Sequence, residues 1–346
     1  AEGEFAVPNL TWEVVNKANV GLELGLFNGM VDLQFDLFDE RRHNIFMPRE
    51  SIPITAGFIK QPWDNYGKMK NQGAEVTLNI NKQFNKNLFV SLMGTLTYAH
   101  NEITEKDEPA AVVGTNRAET GYPTGQNRGY IAERLFTNDD FADVAAGTLK
   151  EGIPAQTFTA KLRPGDIKYV NQPNAKGEYD NVINSNDRVA IGHPYDPELV
   201  YGFGPSMKWK NWDFSFFFQG VARTSFMMYG MHPFGTTSIK NMLQFVADDH
   251  WSVDNPNPNA AYPRLTKDSN GNNDQYSTYW LRNAAFLKLK NAEIGYTYKG
   301  MRFYLSGVNL LTFSPFKHWD PEMGGGNGLY YPTQRVFNIG FQMTIQ

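Results

Sequence analysis

Phe337-Asn338-Ile339-Gly340-Phe341-Gln342-Met343-Thr344-Ile345-Gln346 alternates apolar and polar side chains without a break. Successive side chains of a strand point to opposite faces, so Phe337, Ile339, Phe341, Met343 and Ile345 share one greasy face. The polar partners share the other. The same period of two recurs at Val20, Leu22, Leu24 and Leu26, at Val31, Leu33, Phe35 and Leu37, and at Val76, Leu78 and Ile80. It returns at Leu88, Val90, Leu92, Leu96 and Tyr98, at Phe214, Phe216 and Phe218, and at Ile294, Tyr296 and Tyr298. A soluble antiparallel sandwich alternates in the same way, so periodicity alone does not select a membrane.

The connections discriminate better. Phe27 to Met30, Asn81 to Asn87, Lys210 to Trp212 and Lys299 to Met301 read as tight polar turns, and Asn28-Gly29 is a strong hairpin signal. Every other connection is long: about 30 residues after Asp39, roughly 90 after Glu102, more than 50 after Phe226 and about 20 after Thr312, against a usual median of ~4–6. A sandwich has no reason to keep its long loops at one end. An outer-membrane barrel does, with short turns on the periplasmic side and long loops outside.

Composition agrees. A net charge of -4 gives no nucleic-acid signal, and the absence of cysteine removes disulfides and thiol chemistry. No run of ~18 apolar residues occurs, which excludes helical spans but leaves strands open, since a barrel's lumen face and loops are polar. The aromatic content of 14% suits strands and interfacial girdles, and Trp209, Trp212, Tyr298 and Phe303, beside the tight turns, are expected in the turn-side girdle. The opening Ala1-Glu2-Gly3-Glu4 has no signal-peptide features.

Nine strands are expected, at 17–27, 30–39, 70–81, 87–103, 198–210, 212–226, 285–298, 301–312 and 334–346. Nine is odd, whereas bacterial single-chain barrels have even strand numbers and no free edge. If the last strand ends on the periplasmic side, the first needs a partner upstream of Ala1. The expected fold is all-β: the C-terminal part of one transmembrane antiparallel β-barrel domain, occupying 1–346.

Ordered landmarks extend this reading. They are Leu10-Thr11-Trp12-Glu13 with Asn19-Val20-Gly21-Leu22-Glu23; Asn65 to Glu75; Gly121-Tyr122-Pro123 with Gly129-Tyr130; and Arg163-Pro164-Gly165-Asp166-Ile167-Lys168-Tyr169 followed by Asn186-Asp187-Arg188 and Ile191-Gly192. Further along stand Asn259 to Arg264, Phe286 to Asn291, Gly307 to Leu311, Asp320-Pro321-Glu322, and Tyr331-Pro332 with Arg335. Together they resemble the SusC/RagA-like TonB-dependent outer-membrane transporters of Bacteroidetes-type bacteria. That resemblance implies a barrel of about 22 strands with an N-terminal plug, energised by a TonB complex and capped by a SusD-like lipoprotein. It implies import of oligosaccharides or oligopeptides, with two transporter-lipoprotein pairs often assembling together. Plug and first strands are not among these residues. Relatives often carry an Asp/Asn-rich loop of cation-site character, but here residues 170–180 hold few carboxylates and include Lys176, so no metal is assigned.

No cofactor or catalytic group is expected. His43, His100, His193, His232, His250 and His318 lack zinc-like spacing. Asp248-Asp249-His250 and the pair Asp320 and Glu322 are ordinary neighbours in a chain of this size, and Gly324 to Gly328 reads as a loop tip. The candidate ligand-binding residues are loop aromatics able to stack on sugars or peptide side chains: Trp63, Tyr66, Tyr122, Tyr130, Trp251, Tyr276, Tyr279, Trp280, Trp319 and Tyr330. Two alternatives are a TonB-dependent siderophore or cobalamin receptor, working without a lipoprotein cap, and a secreted soluble carbohydrate-binding or glycosidase β-protein. The latter needs positioned carboxylates and apolar faces that meet each other.

Overall fold

The computed structural model describes residues 6–229, 234–235, 238–239, 243–266 and 269–344. His232 and the last two residues of the expected final strand lie outside them.

Nine long strands form one sheet in chain order, each antiparallel to the next. They are β1 (Val14–Leu26), β2 (Val31–Pro48), β3 (Trp63–Asn85), β4 (Leu88–Glu105), β5 (Leu199–Trp209), β6 (Trp212–Ala222), β7 (Phe286–Tyr298), β8 (Met301–Phe313) and β9 (Val336–Met343). All nine sequence-expected strands are present. Among the described residues β1 and β9 are the two ends of the sheet.

Register shows why the alternation matters. Leu22 lies opposite Phe35, Phe35 opposite Val76, and Val76 opposite Leu96. Farther along, Phe214 faces Ile294, Ile294 faces Leu305, and Leu305 faces Ile339. Apolar residues therefore run as continuous rows on one face of the sheet. Ile339 is 89% exposed, Phe337 74% and Val20 72%, so among the described residues no protein element covers this face. Uncovered apolar rows fit lipid and not water. The second face is polar: Glu23, Gln34, Thr77 and Thr95 follow one another across four strands. On the same face Arg302 binds Asp213 and Glu293.

The hairpins are set by local chemistry. Lys299 and Gly300, with φ of 46° and 79°, form a two-residue loop between paired Tyr298 and Met301, the left-handed pair that matches strand twist. Trp209 and Trp212 flank the Lys210-Asn211 turn as direct partners, and Trp212 lies 4.8 Å from Tyr296. Phe303 packs on Phe341 at 5.0 Å. Trp209, Tyr298 and Phe303 are about half exposed near the turns, as a girdle requires.

Three expectations change. The turn expected over Asn81 to Asn87 shrinks to Lys86-Asn87, because β3 runs to Asn85. The long loop expected after Asp39 is a shorter segment at 49–62, since β2 and β3 continue to Pro48 and back from Trp63. Beyond the apolar stretch their pairing is carried by polar residues, with Glu40 opposite Asn71 and Arg41 opposite Lys70, which apolar periodicity does not report. Finally, the strand expected over 212–226 ends at Ala222, and Ser225–Met227 pairs instead with Leu281–Asn283. Arg223, at φ 53°, turns the chain between them.

The hydrophobic core sits in the long loops, not in the wall. Tyr130, Leu135, Ile167, Tyr169 and Ile183 from the 106–198 connection pack with Phe226, Met228, Val246 and Tyr262 from the 223–285 connection, and with Phe316 from the last. Short paired segments stiffen this block: Gln126–Gly129 with Val189–Pro194, and Ala132–Leu135 with Ile167–Tyr169.

Candidate ligand cleft in the long loops

The Arg163-Pro164-Gly165-Asp166 run is the hub of the loop block. Gly165 has φ 85°, and a Cβ there would lie 2.4 Å from the Trp251 ring, so both conformation and space demand glycine. Asp166 is fully buried and accepts hydrogen bonds from Arg264 Nε at 2.6 Å, Asn270 Nδ2 at 2.8 Å and Asn273 Nδ2 at 3.0 Å. A buried carboxylate persists only when paired and hydrogen-bonded, and here its partners come from the other long connection. Gln156 extends the network, donating to Ile167 O and accepting from the Tyr169 amide.

A second anchor fastens a loop to the wall. Lys288 on β7 is buried and contacts Asp320 and Glu322 at 2.5 Å each, while Lys290 reaches Glu322 at 2.6 Å. Burial raises the Asp320 carboxyl, but bonds from Lys288 and Thr333 outweigh it and hold the group below its usual range. Asp320 and Glu322 are thus engaged in holding the 314–335 loop. A third site is Asp140, gripped by Arg134 through two bonds of 2.7 Å and by the Thr137 amide. Burial raises this carboxyl, and Arg134, Thr137 and the charge of Lys168 more than reverse the effect, leaving it well below the usual carboxylate range.

Within this frame a cleft of about 560 Å³ opens among Gln126, Asn127, Arg128, Arg188, Tyr195, Met227, Tyr229, Tyr276, Gly325 and Tyr330. A smaller pocket of about 270 Å³ shares Arg128 and Arg188 and adds Lys106, Glu108, Arg117 and Glu119. Tyr195, Tyr229, Tyr276 and Tyr330 are each about half exposed, and the chain positions two of them through backbone bonds: Tyr229 N donates to Gly326 O, and Tyr195 N to Gly125 O.

The ten aromatics singled out from the sequence divide into groups. Tyr276 and Tyr330 line the cleft, and Tyr122 stands beside it against Arg128, 4.5 Å from ring centre to guanidinium. Tyr130, Trp251 and Trp280 are buried in the loop core. Tyr279 packs against that core with its hydroxyl on Ala260 O, and Trp319 packs there too with its indole N–H on Gly324 O. Trp63 and Tyr66 lie on β3 outside the cleft, Trp63 against Phe46 and Tyr66 under Arg49. Sequence reasoning missed Tyr195, Tyr229, Arg128 and Arg188. The arginines were within reach of it, because Arg128 directly precedes Gly129-Tyr130 and Arg188 ends Asn186-Asp187-Arg188.

The stretch over 170–187 closes on itself. Asp187 accepts from the Gln172 and Asn184 amides at 2.7 and 2.8 Å, and Asn174 meets Glu178 at 3.1 Å. Among the described residues no group of three or more His, Asp or Glu is placed to hold a metal ion.

The family profile described as "TonB dependent receptor-like, beta-barrel" matches residues 1–310. The chain belongs to the TonB-dependent receptor β-barrel family. This TonB-dependent receptor barrel is 27% identical to TonB-dependent receptor P26 of Formosa agariphila over 99% of its own length and 36% of the relative's. It is 25% identical to TonB-dependent receptor SusC of Bacteroides thetaiotaomicron, over 97% of its length and 32% of SusC. Its fold is similar to that of the RagAB peptide importer in the open-open state, with a TM-score of 0.74 at 21% identity, covering 99% of this chain and 36% of that one. The chain spans about a third of the length of the relatives it matches. It is an outer-membrane β-barrel protein, and its long connections are therefore the extracellular loops.

Proposed function

We propose that this chain is the C-terminal wall and ligand-gathering loop block of a TonB-dependent importer of oligosaccharides or oligopeptides, acting with a SusD-like surface lipoprotein and carrying no catalytic site of its own. The observation that supports it most is the pairing of two features in one chain. One is a lipid-suited apolar face on the wall. The other is an aromatic, polar cleft of about 560 Å³ built into a packed loop block, within the size range of small-molecule sites. Similarity to the fold of the RagAB peptide importer supports the importer type, and the lipoprotein partner follows from the resemblance carried by the sequence landmarks. In this reading the lipoprotein closes over the loops, and movement of a plug outside this chain opens a path along the polar face. Energy comes from a TonB complex, and pairs of transporter and lipoprotein associate as dimers.

The test is purification of the intact parent protein from native outer membranes in mild detergent, with mass spectrometry of copurifying proteins and small molecules. A SusD-like lipoprotein together with a glycan or peptide is the expected result. A lone barrel carrying an iron chelate would overturn the proposal in favour of a siderophore receptor.

A further inference from the structure

Among the described residues the tyrosine-lined cleft is lined by two arginines and no carboxylate. Arg128 is half-buried, yet its guanidinium is held by neutral groups alone: Asn116 O at 2.9 Å, Ala118 O and the Tyr122 ring. Arg188 reaches the Arg128 carbonyl at 3.4 Å, and neither arginine is within salt-bridge distance of a carboxylate among the described residues. Arg117, in the adjoining pocket, likewise has no carboxylate partner there. Of the acids of that pocket, Glu119 pairs with Lys106 at 2.8 Å, while Glu108 accepts from Thr120 Oγ1 at 3.0 Å and keeps its charge outside the cleft lining. Glu50 lines that pocket but not the cleft. Residues 230–242, which follow Tyr229 in the chain, contain no Asp or Glu. Guanidinium groups favour carboxylate and sulfate because their planar fork donates two parallel hydrogen bonds. Fixing one beforehand on carbonyls and a ring removes part of the ordering cost of binding.

We infer that the cleft selects anionic oligosaccharides, with Arg128 and Arg188 receiving a carboxylate or sulfate while Tyr195, Tyr229, Tyr276 and Tyr330 offer ring faces to the sugar. A glycan fits better than an acidic peptide because backbone lining the cleft is already paired. Gln126–Gly129 is joined along one edge to Val189–Pro194, and just beyond it Tyr130 N donates to Tyr276 O, so only a short length of main chain is left for strand addition by a peptide. The inference rests on the importer reading and specifies its substrate class.

The test uses the full-length transporter in detergent with the lipoprotein that copurifies. Calorimetry compares tetragalacturonate, a sulfated carrageenan tetrasaccharide, maltotetraose and tetraglutamate at low and high salt. At least one of the two acidic glycans should bind about tenfold or more tighter than maltotetraose, as expected for a charge-assisted contact, and should weaken as salt rises. Which of them binds identifies carboxylate or sulfate as the recognised group. Arg188→Gln, at an exposed position, should remove most of that preference, and Arg128→Gln the rest, with an unchanged loop proteolysis pattern certifying the fold. Equal or tighter binding of maltotetraose overturns the inference and leaves the importer reading standing. So does a preference untouched by both substitutions, or tighter binding of tetraglutamate. Failure to bind any oligomer, with an iron chelate copurifying, removes the importer reading itself.

Discussion

The wall and the loop block of this chain are built on opposite plans. In the wall, apolar residues point away from the protein and the polar face turns inward, as the exposure of Val20, Leu305 and Ile339 shows. In the loops the plan is that of a water-soluble domain, with Leu135, Ile167, Phe226 and Met228 excluded from solvent and a hydrogen-bonded Asp166 at the centre. The difference teaches where each part finds its stability. Strands in a membrane take it from complete backbone pairing and lipid contact. Long extracellular segments must bury a core of their own, because an unstructured connection of such length would present no fixed cleft.

That contrast gives experiments with graded effects. The largest is expected for Asp166→Ala, which strands Arg264, Asn270 and Asn273 without an acceptor. The loop block should lose about 3–5 kcal/mol, read as rapid protease cleavage within 106–285 while the barrel keeps its heat-dependent mobility on gels. Next comes Leu305→Arg on the apolar face of β8, costing about 2–4 kcal/mol if it lies near mid-membrane. Its neighbour Ser306→Arg, on the polar face, should cost much less when the two are compared by urea unfolding in lipid vesicles. If the two substitutions cost the same, the two-face description of the wall fails.

Lys288→Met should cost about 1–3 kcal/mol, because Asp320 and Glu322 lose their buried cation. Limited proteolysis is expected to move specifically into 314–335 and to leave the 106–198 loops intact. The smallest effect is pH-dependent. Asp140 has a folded pKa below its ordinary value of about 3.9, so its contribution is fully present above that value and fades as pH falls below it. The protection factors of the Thr137 and Asp140 amides, with the intrinsic pH dependence of exchange divided out, should fall on acidification below about pH 4, and Asp140→Asn should flatten that response.

Much of the wall was legible because it obeys a period of two and lipid enforces it. Phe337 to Met343 could be assigned to faces from the letters alone, and the register then placed Phe341 on Phe303 and Ile339 on Leu305. The upper halves of β2 and β3 escaped because their pairs, such as Arg41 with Lys70, carry no apolar signature. The candidate site was less legible. Tyr276 and Tyr330 reached the cleft, but Trp251 and Trp280 are equally aromatic loop residues and are buried. Which ring packs and which ring faces solvent depends on contacts between segments about a hundred residues apart, such as Asp166 with Asn270. Single-sequence patterns report on neighbours along one strand and not on such pairings.

The most direct test of the two-plan account exploits the absence of cysteine from the chain. Single cysteines placed in turn at Phe303, Tyr304, Leu305 and Ser306 of the full-length protein in lipid vesicles, with any cysteine outside this chain replaced by serine, would carry a spin label for collision with oxygen or a water-soluble nickel complex. The account predicts strict alternation, with labels at Phe303 and Leu305 favouring oxygen and those at Tyr304 and Ser306 favouring nickel. Equal access at all four positions, or preference for nickel at Leu305, would contradict it.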